Sequence, residues 1–243
     1  MAPAGFGDRV EGFHAVAAAA AAGRVEELWI ERHRRHRSEY RALDDVVRQS
    51  GGRVHEVEDL VAQAETSAPQ GVIARCRPLA DATLEDLATR VTPAAVVVLD
   101  HIVDPHNLGA IARSVAGAGL GGLVVAGRRA APLSATAFKA AAGAFERVGV
   151  ARVNSIADAL ARFRKLGLWG IGLEANAPAQ LWGQPLLTEP LALVVGEEGS
   201  GLSRLVRDRL DLLVSIPLAA ESESLNASVA TALAAFEVAR LRR

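Results

Sequence analysis

From Ala94 onward, short continuous apolar runs alternate with segments of helical period, and this alternation constrains the fold more than any other feature of the chain. Ala94–Asp100 is a β-branched run with no polar face, the pattern of a strand covered on both sides in a parallel sheet. Similar runs follow at Gly122–Ala126, Gly149–Val153, Leu168–Leu173, Leu191–Gly196 and Leu212–Ile216. Helical patterns fall between and after them, near Leu108–Ala118, Ala135–Ala144, Ser155–Leu166, Leu202–Leu210 and Leu225–Leu241. Strand then helix, repeated, predicts an α/β fold with a mostly parallel sheet and helices on both faces.

The first eighty residues read as a smaller α/β unit. Helices are expected over Glu11–Ala22, Ser38–Gln49 and Leu60–Glu65, and strands over Glu27–Ile30, Arg53–Val57 and Gly71–Ala74. Prolines at 78 and 93 bracket an acidic amphipathic segment, which marks a linker. The expected organisation is a domain over 1–77, a linker over 78–93 and a second domain over 94–243. A length of 243 residues with 50% hydrophobic content suffices for two cores.

Composition narrows the function classes. A single cysteine, Cys76, excludes an intramolecular disulfide and argues against a cysteine-based zinc site, so a reducing, cytoplasmic setting is expected. The alanine-rich stretch Ala15–Ala22 follows Glu11 and His14 without a basic flank, which reads as a helix and not a secretion signal or membrane segment. A net charge of −1 gives no global attraction to nucleic acid, so any RNA contact must be local. The densest basic cluster holds Arg32, Arg34, Arg35, Arg37 and Arg41 with His33 and His36; it is equally readable as a solvated face or as an RNA-contact patch.

Two nucleotide motifs are decoys. Gly117, Gly119 and Gly122 spell GxGxxG but lie between a helix and a strand, the reverse of the dinucleotide fingerprint. Gly196–Ser203 approaches a phosphate loop, yet Leu202 stands where lysine is needed and Glu197 and Glu198 would repel a triphosphate. Asp100, His101, Asp104 and His106 have metal-ligand chemistry, but short loops at strand ends commonly carry Asp and His as turn formers, and no metal is assigned.

Three segments carry a resemblance. Asn107-Leu-Gly-Ala-Ile-Ala-Arg113, Gly196-Glu-Glu198-Gly-Ser-Gly201-Leu, and Ile216-Pro217 with Ser224-Leu-Asn226-Ala-Ser-Val229 resemble, in order, the three motifs of the SpoU (TrmH-like) branch of the SPOUT superfamily of knotted RNA methyltransferases. The stretches at Arg129–Leu133 and Lys139–Ala144 are similar to the chain between the first two motifs. Gly12–Val16 and Val25–Ile30 resemble the ribosomal-protein-like RNA-binding domain that precedes the catalytic one. Among subgroups, the bacterial 23S rRNA guanosine 2′-O-methyltransferases are most alike. Ala220, Ser222 and Ala141 depart from the usual glycine, apolar residue and serine at their places.

The resemblance implies a deep trefoil knot at the carboxyl end of the second sheet, a homodimer joined through the last helix (Ala230, Leu233, Ala234 and Phe236), and structured RNA as partner, ribosomal RNA first. It implies S-adenosylmethionine (AdoMet) as cofactor, held by Val195, Gly196, Gly199, Gly201, Ile216, Leu218, Leu225 and Asn226, with the glycines allowing close ligand approach. It assigns catalysis to Asn107, Arg113, Glu198, Ser224 and Asn226. Because guanidinium stays protonated near neutral pH, Arg113 is better read as a clamp and stabiliser of the developing alkoxide than as a base; phosphate, Glu198 or water remains open as proton acceptor. Taken singly, these residues are also readable as a surface arginine, helix caps or turn formers. A tRNA or ribosomal adenosine substrate, or a non-catalytic RNA-binding or assembly factor, are the alternatives; a nucleotide-dependent oxidoreductase is remote.

Overall fold

The computed structural model describes residues 5–127, 130–197, 199–219 and 224–243. The chain forms two compact units, one of residues 1–80 with 132–147, the other of residues 81–131 with 148–243.

The first unit is built on a sheet of β1 (Arg9–Glu11), β2 (Val25–Glu31), β3 (Arg53–Val57) and β4 (Val72–Cys76) in the order β1-β4-β2-β3. Only β2 and β3 run parallel; β4 is antiparallel to both of its neighbours. Helices α1 (Phe13–Ala21) and α2 (Ser38–Gln49) pack on this sheet. Buried carboxylates organise its loops. Glu11 accepts hydrogen bonds from the backbone N–H of Glu65 and Thr66, the Thr66 hydroxyl and the Arg9 guanidinium. Glu31 accepts from the Leu60 N–H, and Asp44 binds both Arg35 and Arg48.

Strand β1 was not expected, since Arg-Val-Glu offers one apolar residue, and Glu11 belongs to it and not to the helix that follows. The helix expected over Leu60–Glu65 is a single 3-10 turn, Val61–Gln63. Residues 132–147, which chain order placed with the second domain, group with the first unit. Their helix α5 (Ala135–Ala141) packs on β1, and Phe138 and Phe145 form a ring cluster with Phe6. Arg24 and Glu146, both largely buried, complete this contact with a bidentate ion pair.

The second unit begins with α3 (Leu84–Thr89), inside the expected linker. Thr83 and Asp86 form a reciprocal capping box, and Leu87 is fully buried in the core. Seven parallel strands follow: β5 (Ala95–Leu99), β6 (Gly122–Ala126), β7 (Gly149–Val153), β8 (Trp169–Leu173), β9 (Ala179–Gln180), β10 (Leu191–Val195) and β11 (Leu212–Ser215), in the order β7-β6-β5-β10-β8-β11-β9. Every residue of β5 and β10 is buried, as a strand covered on both faces requires. Val96, Val98 and Val194 pack with Ile156, Leu160 and Phe163 of α6 (Ile156–Lys165) and Val206 of α7 (Arg204–Arg207).

The remaining helices, α4 (Pro105–Ala118) and α8 (Ala227–Leu241), pack extensively on each other. Chain order leaves β5 toward β6 and β7, then returns on the other side with β10 inserted between β5 and β8. This reversal creates a switch point at the β5/β10 boundary, where the carboxyl ends of the strands open a crevice. No helix among the described residues is long and apolar enough to cross a membrane.

Candidate functional site

A cavity lies on the β10 side of this switch point. Its volume of about 410 Å3 sits at the carboxyl ends of β10, β8 and β11, adjacent strands in the sheet. Val195, Gly196, Gly199 and Gly201 contribute one wall, Ile216 and Leu218 a second, and Ser224, Leu225 and Ala227 a third. These residues come from the second and third sequence motifs, which lie apart along the chain and meet here. Leu173, Glu174, Ala175 and Asn176, just after β8, complete the lining with Arg207 of α7. Sequence reasoning missed this last group. Its signal was present: an acidic and an amide residue directly after an apolar run, at the same end of the sheet as the motifs.

The glycines serve different purposes. A Cβ on Gly196 would lie 2.3 Å from the Gly201 carbonyl carbon and oxygen, so residue 196 must be glycine for the loop to close on itself. Gly199 and Gly201 have φ of +84° and +68°, a backbone conformation that itself favours glycine, and no protein atom lies within 4 Å of where a Cβ would be. A hydrogen bond from Gly201 N to Glu197 O (2.9 Å) and one from the Ser200 hydroxyl to Glu197 Oε2 (2.8 Å) fix the turn between them.

The first motif enters through α4. Asp104, not Asn107, caps the helix by accepting from His106 N (2.8 Å), and Pro105 occupies the first helical position, where its missing N–H costs nothing. Asn107 is thereby turned toward α8. Its Oδ1 accepts a hydrogen bond from Asn226 Nδ2 at 3.0 Å. Asn226 in turn caps α8, its Oδ1 accepting from Ser228 N (2.9 Å) and Val229 N (3.3 Å). One amide thus caps a helix and joins the first motif to the third. Asn226 is not among the residues lining the cavity, although Leu225 and Ala227 on either side of it are.

Arg113 is exposed on α4 and makes no hydrogen bond or ion pair among the described residues. Glu198 lies outside the described residues, as do the departures at Ala220 and Ser222.

A carboxylate also borders the cavity: Glu174 Oε1 pairs with the Arg207 guanidinium at 2.8 Å, while its buried Oε2 has no hydrogen-bond partner among the described residues. Cavity size and apolar walls from Val195, Ile216, Leu218 and Leu225 match an adenosyl ligand. No cluster of His, Cys, Asp or Glu that could hold a metal occurs among the described residues.

The arginine-rich segment of the first unit is mostly neutralised. Arg32 pairs with Glu58, Arg34 with Glu31, and Arg35 with Asp44 and Glu56. For these three the ion-paired turn is the better description.

A parallel sheet whose strand order reverses beside a glycine-looped cavity defines a class of small-molecule-binding α/β proteins. The chain belongs to the SpoU rRNA methylase family, whose profile matches residues 94–236, and a profile for RNA 2′-O ribose methyltransferase substrate binding matches residues 9–82. It is 35% identical over 246 residues to the 23S rRNA (guanosine-2′-O-)-methyltransferase RlmB of Shewanella oneidensis, covering 97% of this chain and 98% of that one. An uncharacterized tRNA/rRNA methyltransferase of Synechocystis is 38% identical over 242 residues; the match spans 97% of this chain and 63% of that longer relative. The crystal structure of the SpoU methyltransferase AviRb from Streptomyces viridochromogenes, in complex with AdoMet, superposes with a TM-score of 0.80 at 26% identity, over 96% of this chain and 90% of that one.

Proposed function

We propose that this chain transfers a methyl group from AdoMet to the ribose 2′-hydroxyl of a guanosine in large-subunit ribosomal RNA. The observation that carries the reading is the meeting of all three motifs at one cavity edge: the second and third line it, and the Asn107–Asn226 hydrogen bond ties in the first. When bound, the cofactor supplies a carbon already activated by its sulfonium, so the protein's tasks are alignment and stabilisation of charge on the ribose oxygen.

In this reading the 196–201 loop, Ile216, Leu218 and Leu225 hold the adenosyl group beside Glu174. Asn107, Ser224 and Asn226 border the reacting centre, and the second motif's Glu198 is assigned to catalysis with them. Arg113, exposed and unengaged by any described carboxylate, clamps an RNA phosphate and stabilises the developing alkoxide. The first unit holds the RNA. Trp29 and His55 stack at 5.4 Å on its sheet, an aromatic surface suited to an unstacked base, while Arg53 and Arg75 in the adjoining row are both paired with Glu27.

The reading includes a knotted carboxyl-terminal chain, a cytoplasmic setting and a homodimer. For the dimer, Val229, Leu233 and Phe236 form an exposed apolar stripe on α8 at helical spacing, while Ala234 is turned inward and fully buried. Light scattering should give twice the chain mass, and Phe236→Glu should shift it toward the monomer; a monomeric mass for the unaltered protein contradicts the dimer.

The function is tested by incubating the protein with methyl-labelled AdoMet and unmodified 23S rRNA or tRNA, then analysing nucleosides. Label in 2′-O-methylguanosine from the rRNA is expected. Label only in tRNA, in another nucleoside or on a base overturns the substrate assignment.

A further inference from the structure

Asp100 plays no part in the chemistry described above, yet it is among the most deeply buried charged side chains, 1% exposed at the end of β5. Its backbone N–H donates to Val195 O at 2.9 Å. Its Oδ2 accepts from Ser203 N at 2.7 Å. Its Oδ1 bonds to His101 Nδ1, also at 2.7 Å.

Val195 and Ser203 are the residues on either side of the 196–202 loop. A single residue on the neighbouring strand therefore holds both ends of that loop. Within it, the Gly201–Glu197 hydrogen bond and the Gly196–Gly201 contact set the shape of the turn, and Leu202 anchors it in the core. The β5–β10 ladder fixes the Val195 end of the loop relative to β5, and the Asp100 carboxylate ties the Ser203 end. His101 then bends away with φ of +61°, a conformation that side-chain-bearing residues rarely adopt, and its ring covers the carboxylate's second oxygen.

We propose that Asp100 is a positioning residue that staples the AdoMet-binding loop in its binding-competent form, with His101 as the cap on the staple. The inference rests on the reading of the cavity as the AdoMet site. Without the carboxylate, Ser203 N–H loses its acceptor, and the far end of the loop loses its hydrogen bond to the β5 end while the near end stays in the β5–β10 ladder. Affinity then falls in proportion to the fraction of molecules with the loop closed, while turnover of bound cofactor is unaffected.

The test is calorimetric AdoMet binding and steady-state methylation kinetics of the full chain and three variants. Asp100→Ala should raise the AdoMet Kd and KM about tenfold or more, as expected when the competent state becomes a minority, with kcat at saturating cofactor within about threefold. Asp100→Asn keeps an acceptor for Ser203 N and presents an N–H2 donor to the histidine's other tautomer, so it should restore near-normal affinity. Ser203→Pro removes the same hydrogen bond from the other side at a residue whose φ of −63° suits proline, and should weaken AdoMet as Asp100→Ala does. It keeps the question answerable if Asp100→Ala fails to fold.

Unchanged AdoMet affinity in Ser203→Pro or Asp100→Ala overturns the staple. So does a loss of kcat in Asp100→Asn with an altered pH profile, which would make Asp100 and His101 a proton-accepting pair instead. If the unaltered protein binds no AdoMet, the functional reading itself fails, a result distinct from these.

Discussion

The two units place their buried carboxylates differently. In the first unit, Glu11, Glu31 and Asp44 sit among loops and arginines at the margin of the apolar core: Glu11 alone satisfies two backbone N–H groups, a hydroxyl and a guanidinium. In the second, the sheet is apolar along its length, and Asp100 sits at the strand ends beside the cavity. The contrast teaches where to look for chemistry. The small sheet's carboxylates tie its own loops together, whereas the large sheet's Asp100 stands at the strand ends and ties the loop that lines the cavity.

The strongest way to break this comparison is at the edge of the large sheet. Asn107→Ala and Arg113→Ala should each lower methyl transfer by about 10²- to 10³-fold, the scale of losing a group that stabilises developing charge. Neither should lower the melting temperature by more than a degree or two, because Arg113 is exposed and Asn226 still caps α8. A large stability loss with activity retained in the folded fraction would make these residues structural and remove the contrast.

Gly196→Ala comes next. Its Cβ would meet backbone and not a flexible side chain, so the loop itself must move; AdoMet affinity should fall about tenfold or more through loss of the competent loop, while RNA binding by the first unit is unaltered. Titration calorimetry with each ligand checks both halves of that statement.

The smallest effect belongs to the first unit. Glu11→Ala should cost about 2–3 kcal/mol, since it leaves several buried donors without an acceptor, and should leave AdoMet affinity unchanged. Burial pushes the Glu11 carboxyl up, but the donors from Glu65, Thr66 and Arg9 outweigh it and hold it below its ordinary value. A lowered folded-state pKa contributes stability at and above the ordinary glutamate range and loses it as pH falls through the folded value. Acid titration followed by circular dichroism should therefore show a destabilisation in the unaltered protein that Glu11→Ala lacks. Equal acid sensitivity in both would remove Glu11 from the account.

The large sheet was legible because strands buried on both faces are written as unbroken apolar runs, and β5 and β10 are such runs. Shorter elements were not. Strand β9 has two residues, too few for any period, and α3 was hidden by prolines at 78 and 93, although Thr83 and Asp86 spelled its cap. The grouping of 132–147 with the first unit depends on Phe138 and Phe145 meeting Phe6, a pairing that chain order conceals. At the site, the motifs pointed to the loops around the cavity, but linear spacing carries no sign that Asn107 meets Asn226 or that Asp100 closes a loop a hundred residues further on. Those contacts arise from sheet order, which inserts β10 beside β5.

The most direct test of the central claim, that the strand-end cavity is the cofactor site, is a crystal structure of the protein with S-adenosylhomocysteine. The ligand is expected between the 196–201 loop and Leu225. Ligand bound elsewhere, with the cavity filled by water, would contradict it.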